Sequence, residues 1–183
     1  MTNDAEQGER RWRHRPGGEL LGLERKDVDL LHRVVHVRRQ AQEIQGRRIV
    51  TEPKTEAGIR TAALPSALVQ ILSQHLDTFS AASAEGTVFT GQTGRPVRRA
   101  DLSDAWRAAL AATGLSGVRI HDLRHRMAVK RLLAWHAENA EVDAKLPALA
   151  TYLGHRDPRS TYVYLSATPE LLGHAARLLE ASR

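Results

Sequence analysis

The sequence predicts an α+β fold, mainly helical, with a small antiparallel β-sheet near the N-terminus. Residues 33–38, Arg-Val-Val-His-Val-Arg, are compact and β-branched, which suits a pleated strand. Residues 47–51 and 60–64 are further strand candidates. From Pro65 onward the apolar residues recur at helical spacing instead. With 183 residues, 42% of them hydrophobic, the chain can bury the core of one domain.

In order along the chain, residues 1–16 read as a disordered basic tail in which Trp12 is almost the only apolar residue. Pro16-Gly17-Gly18 breaks the backbone. Leu20, Leu21 and Leu23 then form the apolar patch of a short helix, which ends at Asp27-Val28-Asp29. Between the strands at 47–51 and 60–64 lies Glu52-Pro53-Lys54-Thr55-Glu56-Ala57-Gly58. Its Pro and Gly suit a hairpin turn, so those two strands are expected to pair with Lys54 near the tip. Ser66 is placed to cap a helix carrying Leu68, Ile71, Leu72, His75 and Leu76. Residues 86–95 read as a loop holding a strand-like Thr87-Val88-Phe89. Helices follow at 101–113, with Leu102, Trp106, Ala109 and Leu110 on one face, and at 120–137. A shorter helix is expected at 145–153, starting near Pro147. Residues 159–165 are an apolar-aromatic segment, and 169–180 an amphipathic helix.

Composition narrows the function. The chain has no cysteine, which removes disulfides and thiolate metal sites. Its nine histidines show no ligand spacing of the His-Glu-x-x-His kind, so no metal and no cofactor is expected. No apolar run approaches a membrane span, and the first residues lack the apolar core of a signal peptide. A cytoplasmic protein without a membrane partner is expected. The formal net charge is +6. Such an excess suits nucleic acid, whose phosphates release counterions to Arg and Lys, and equally suits an arginine-rich protein with no such partner.

Three local signals carry chemistry. In His121-Asp122-Leu123-Arg124-His125, His121 and Arg124 lie one helical turn apart and face the same way. An imidazole and a guanidinium there can grip one phosphate, since the planar fork of Arg donates parallel hydrogen bonds. An ordinary polar helix start, with Asp122 favouring the dipole, has the same residues. Tyr152-Leu153-Gly154-His155 comes next, with Tyr164 nine positions after His155. Gly154 fits a helix C-terminus, from which His155 would project. Tyr162 and Tyr164, taken singly, are most simply core or interface aromatics. Lys54, with Arg60 six residues on, is an exposed cation or a proton donor to a leaving oxygen.

Read in order, these segments resemble the tyrosine recombinases of the phage-integrase family. Gly18-Glu19-Leu20-Leu21-Gly22-Leu23 to Asp27-Val28-Asp29 is similar to the first box of that family. Pro53-Lys54-Thr55 with Arg60 and Leu64-Pro65 resembles its β-hairpin lysine, and His121 to His125 its second box. Leu153-Gly154-His155 with Tyr164 resembles its last, and residues 159–165 look most like integrases of mobile elements.

The resemblance implies a catalytic domain over 17–183, with no N-terminal core-binding domain in residues 1–16. It implies a DNA strand transferase that cuts and rejoins strands through a 3′-phosphotyrosine. Tyr164 would be the nucleophile, with Tyr162 a competitor disfavoured by its spacing from His155. Arg124 would clamp a phosphate oxygen, His121 act as base or donor, His155 bind the phosphate and Lys54 protonate the departing 5′-oxygen. The family has an arginine three residues before Glu19, where this chain has Pro16, with Arg15 one residue off. Activity is therefore expected to be impaired, and the alternative is an inactive DNA-binding remnant. A type IB topoisomerase shares the chemistry, but the short chain and the compact Leu-Gly-His box disfavour it. The expected partner is double-stranded DNA, touched by Arg60, Arg98 and Arg99. Self-association into a DNA-bound tetramer, through the last helix, is also implied.

Overall fold

The computed structural model describes residues 16–53, 55–91, 93–138, 140–155, 157, 159–166 and 173. Residues 1–15 of the expected tail, Arg15 among them, Lys54, and all of the expected helix at 169–180 except Gly173 lie outside the described residues, while Pro16, placed in the tail by the sequence, is already helical. Helix α1 (Pro16–Leu21) leads through a 3-10 turn (Arg25–Asp27) into β1 (Val28–Asp29), β2 (Val34–Val37), β3 (Gln40–Ile44) and β4 (Arg47–Thr51). A second 3-10 turn (Glu56–Gly58) precedes β5 (Arg60–Ala63). Helices α2 (Ser66–Phe79), α3 (Arg99–Ala112), α4 (Ile120–Ala137), α5 (Val142–Leu153) and α6 (Arg159–Ser166) follow. The mainly helical α+β fold with small antiparallel sheets is as the sequence predicts. None of the described helices is long and apolar enough to cross a membrane.

Strand pairing corrects one expectation. The strand at 47–51 does not pair with 60–64. It folds back on β3, with Ile44 opposite Arg47 and Ala41 opposite Val50. The turn is Gln45-Gly46, both at positive φ (51° and 74°), the two-residue geometry whose twist matches a hairpin. Segment 40–44, Gln-Ala-Gln-Glu-Ile, has little β-branched content, so it gave no strand signal. β5 instead lies beside β2, with Val35 opposite Ala62 and Val37 opposite Arg60, and β1 closes the other edge. Residues 52, 53 and 55–58 thus lie between strands of two small sheets rather than capping one hairpin.

The first core lies between the three-stranded sheet and α2. Val35 and Val37 are buried while Val34 and His36 are half-buried, the period of two that a strand imposes. Leu23, Val35, Leu76 and Val88 form its centre. The strand-like 87–89 contributes only an isolated bridge from Thr87 to Glu24. Ser66 does not cap α2; Pro65 occupies that place, and Arg33 Nη1 donates to the Ser66 hydroxyl at 3.1 Å.

The second core joins α4, α5 and α6 through Ala128, Val129, Leu132, Val142, Leu146, Leu149, Leu153 and Tyr164. α4 spans 120–137 as read from the sequence. α5 begins earlier than expected, at Val142, and holds Pro147 in its interior. A proline there removes one hydrogen bond, to the carbonyl of Asp143. Val142, Leu146, Leu149 and Leu153 are all buried along one face, and that burial outweighs the loss. The apolar-aromatic stretch 159–165 is helical, within α6.

Candidate active site

Two helix ends meet at the seam between the cores. α4 starts where the Arg119 backbone N–H donates to Asp122 Oδ2 at 2.8 Å. The loop before it is tied to α3 by Trp106, whose indole N–H donates to Val118 O at 2.8 Å. One turn into α4, Arg124 reaches the C-terminal end of α5, where Nη1 donates to Leu153 O. The last carbonyls of a helix have no intrahelical partner and carry the negative end of its dipole, so a guanidinium is favoured there. Arg124 Nη2 also lies 3.7 Å from Glu19 Oε2.

Gly154 ends α5 in the left-handed region (φ 70°, ψ 33°). Its N–H donates to Thr151 O at 3.0 Å, and the His155 N–H donates to Ala150 O at 2.9 Å. This paired closure turns the chain sharply and fixes where His155 emerges. His155 Nδ1 shares a hydrogen bond of 2.9 Å with the Thr161 hydroxyl. Thr161 is completely buried and Tyr164 is 8% exposed. They sit three residues apart on the inner face of α6, while Tyr162 and Val163 point outward. The Tyr164 ring stacks on His155 (centroids 6.1 Å apart, 18° between planes) and meets His125 at 5.1 Å.

Burial raises the Tyr164 phenol above its ordinary pKa, and the Arg124 charge opposes that shift. The phenol is therefore neutral at neutral pH. Burial, then the Arg124 charge, lowers the pKa of His121, which keeps its imidazole neutral as well. His121 Nδ1 is buried with no hydrogen-bond partner among the described residues. Burial also lowers Arg124, against the opposing pull of Glu19; a guanidinium stays charged nonetheless.

Four of the groups singled out in the sequence, His121, Arg124, His155 and Tyr164, thus belong to one region built from α4, the α5 terminus and α6. Arg60, expected on a DNA-facing surface, lies beneath it. Its side chain is 8% exposed and ion-paired with Glu19 at 2.8 Å. Arg98 is exposed and pairs with Asp101 at 3.0 Å at the start of α3, and Arg99 is exposed on the first turn. Sequence reasoning assigned no role to Glu19, Thr161 or His125. Thr161 was findable, because it precedes Tyr164 by the three residues that share a helical face.

Comparison with known proteins bears on the fold and the family. Residues 17–170 match the model of the phage integrase family. The protein named "Putative integrase/recombinase y4rE" of Sinorhizobium fredii is 33% identical over 162 residues, covering 87% of this chain and 49% of its own. A "Tyrosine recombinase XerC-like" protein of Caldanaerobacter subterraneus is 27% identical over 88% of this chain and 45% of its own. Among solved structures, a Tn1549 transposon integrase in complex with transposon right-end DNA superposes with a TM-score of 0.67 at 21% identity. That match covers 90% of this chain and 54% of the integrase. The fold is that of a tyrosine recombinase catalytic domain, and the chain belongs to the phage integrase family. It spans about half the length of the curated relatives it matches.

Proposed function

We propose that this chain cuts and rejoins double-stranded DNA as the catalytic part of a site-specific recombinase or integrase of a mobile element. The observation that carries the reading is the placement of the Tyr164 ring against His155 and within the field of Arg124. The Tyr164 oxygen attacks the scissile phosphorus and loses its proton to His121, whose neutral imidazole suits a base. A phosphorus–oxygen bond to Tyr164 forms as the bond to the 5′-oxygen breaks, and Lys54 supplies that oxygen's proton. Arg124 and His155 hold the non-bridging oxygens, where negative charge gathers in the transition state. The covalent link conserves the bond energy, so a second 5′-hydroxyl reverses the step and rejoins the strand. Complete recombination would take a DNA-bound tetramer, with the segment at 169–180 joining protomers, in the cytoplasm.

A nicked suicide substrate tests this reading. A covalent protein–DNA adduct is expected, lost in Tyr164→Phe while duplex affinity is retained; an adduct that survives the substitution refutes the assignment. Pro16 at the family's arginine position favours a second reading, a DNA-binding remnant that does not cut. If that position limits the reaction, Pro16→Arg raises the adduct rate by on the order of 100-fold, the worth of one charge-stabilising donor. Absence of adduct in both wild type and Pro16→Arg leaves the remnant as the function.

A further inference from the structure

We infer that Arg60 is a positioning residue, a buried guanidinium that locks the C-terminal end of α5, and with it His155, into register with Arg124 through the shared carboxylate of Glu19. The inference deepens the reading above and rests on it for the role of His155. Arg60 stands in β5 opposite Val37, far from α5 in sequence, yet its donors reach three separate segments. Nη1 and Nη2 donate to Glu19 Oε1 and Oε2 at 3.1 and 2.8 Å, a two-pronged pair with α1. Nε donates to Tyr152 O at 3.1 Å in the last turn of α5. Nη1 also donates to Gly58 O at 3.2 Å, in the connection that carries residue 54.

Arg124 makes the complementary contacts. It takes the next carbonyl of α5, that of Leu153, and approaches the same Glu19 oxygen from the other side. Two successive carbonyls at the end of α5 are thus each held by a different arginine, and both arginines meet on one carboxylate. The two guanidinium charges repel, and the Arg60 charge acts to lower the pKa of Arg124. Glu19 neutralises that repulsion. Packing at the turn is as tight as the bonding, since a Cβ on Gly154 would sit 2.9 Å from Arg60 Nη1. A lysine keeps the charge but gathers its donors on one nitrogen in place of a rigid planar fork, so it cannot reproduce the two-pronged pair with Glu19 and the bond to Tyr152 O together.

The test uses the full chain with Arg60→Lys, Arg60→Met and Glu19→Gln. It reads amide exchange at Gly154 and His155, affinity for a duplex oligonucleotide, and the rate of Tyr164–DNA adduct formation at saturating suicide substrate. Arg60→Lys is expected to speed exchange at Gly154 and His155 but not at Val129 in the middle of α4. It should leave duplex affinity within about twofold and slow adduct formation by on the order of 100-fold, as a misplaced phosphate ligand does. Arg60→Met and Glu19→Gln should do the same or more; if either fails to fold, Arg60→Lys decides alone. Unchanged exchange at Gly154 and His155 in Arg60→Lys overturns the proposal. So does a loss of duplex affinity in step with the adduct rate, which marks a surface cation that touches DNA. An absence of adduct in the wild type counts against the strand-transfer reading, and the exchange measurement then decides the role of Arg60 by itself.

Discussion

His121 is the residue at which burial and chemistry pull hardest on each other. Its Nδ1 is buried without a hydrogen-bond partner among the described residues, and its pKa lies below the ordinary histidine value because burial and Arg124 both disfavour the imidazolium. The unfolded chain therefore takes up this proton more readily than the folded one, and stability depends on pH in a definite direction. The contribution is complete above the ordinary histidine pKa of about 6.5 and is lost as pH falls below it toward the depressed folded value. His121→Asn removes that term alone. Its denaturation midpoint should fall less than that of the wild type between about pH 7 and about pH 5. Identical pH dependence in the two proteins would show that His121 gains its proton as easily folded as unfolded. The same neutrality makes it a base in the proposed reaction, so adduct formation should hold at the ordinary histidine pKa and decline only further down, as pH falls through the depressed folded value.

Among the elements, the α5 terminus bears the most constraint per residue. Gly154 has a positive φ and faces the Arg60 guanidinium. Gly154→Ala is expected to destabilise the fold by about 1–2 kcal/mol from the left-handed backbone alone, and by more from the collision. Thermal unfolding of the single and double variants separates the two, since Gly154→Ala combined with Arg60→Met should cost less than the sum of the singles if the collision is real. Strict additivity would confine the cost to the backbone. Deeper in the same bundle Leu132 is completely buried, and Leu132→Ala should cost about 2–5 kcal/mol by leaving a cavity. Legibility varied by element for physical reasons. The boundaries of α4 and the glycine closure of α5 were readable because each is a local pattern. β3 was not, because its polar composition pairs through a turn signalled only by Gly46. The start of α5 was hidden because Pro147 looked like a beginning, whereas the buried face running back to Val142 sets the boundary.

Across the whole molecule, the candidate site is assembled from α1, β5, α4, α5 and α6, and that explains which of its parts were visible beforehand. His121 with Arg124, and His155 with Tyr164, are short-range pairs whose spacing can be read directly. Glu19 and Arg60 are 41 residues apart, and an ion pair across that distance leaves no periodic trace. Arg60 therefore looked like one more surface cation in a chain of formal charge +6. The salt dependence of duplex binding distinguishes the two kinds of arginine. Each cation that neutralises a phosphate adds close to one unit to the slope of log affinity against log salt, because it releases condensed counterions. Arg98→Ala and Arg99→Ala should each reduce that slope by about one if these exposed residues touch the backbone. Removing Arg98 also frees Asp101 from its pair, so Asp101→Asn is the control for that side effect. Arg60→Lys should leave the slope where it is, since a buried charge that keeps its sign displaces no counterions. Equal slopes for all of these proteins would take Arg98 and Arg99 off the DNA, and a wild-type affinity indifferent to salt would remove phosphate recognition from the account altogether.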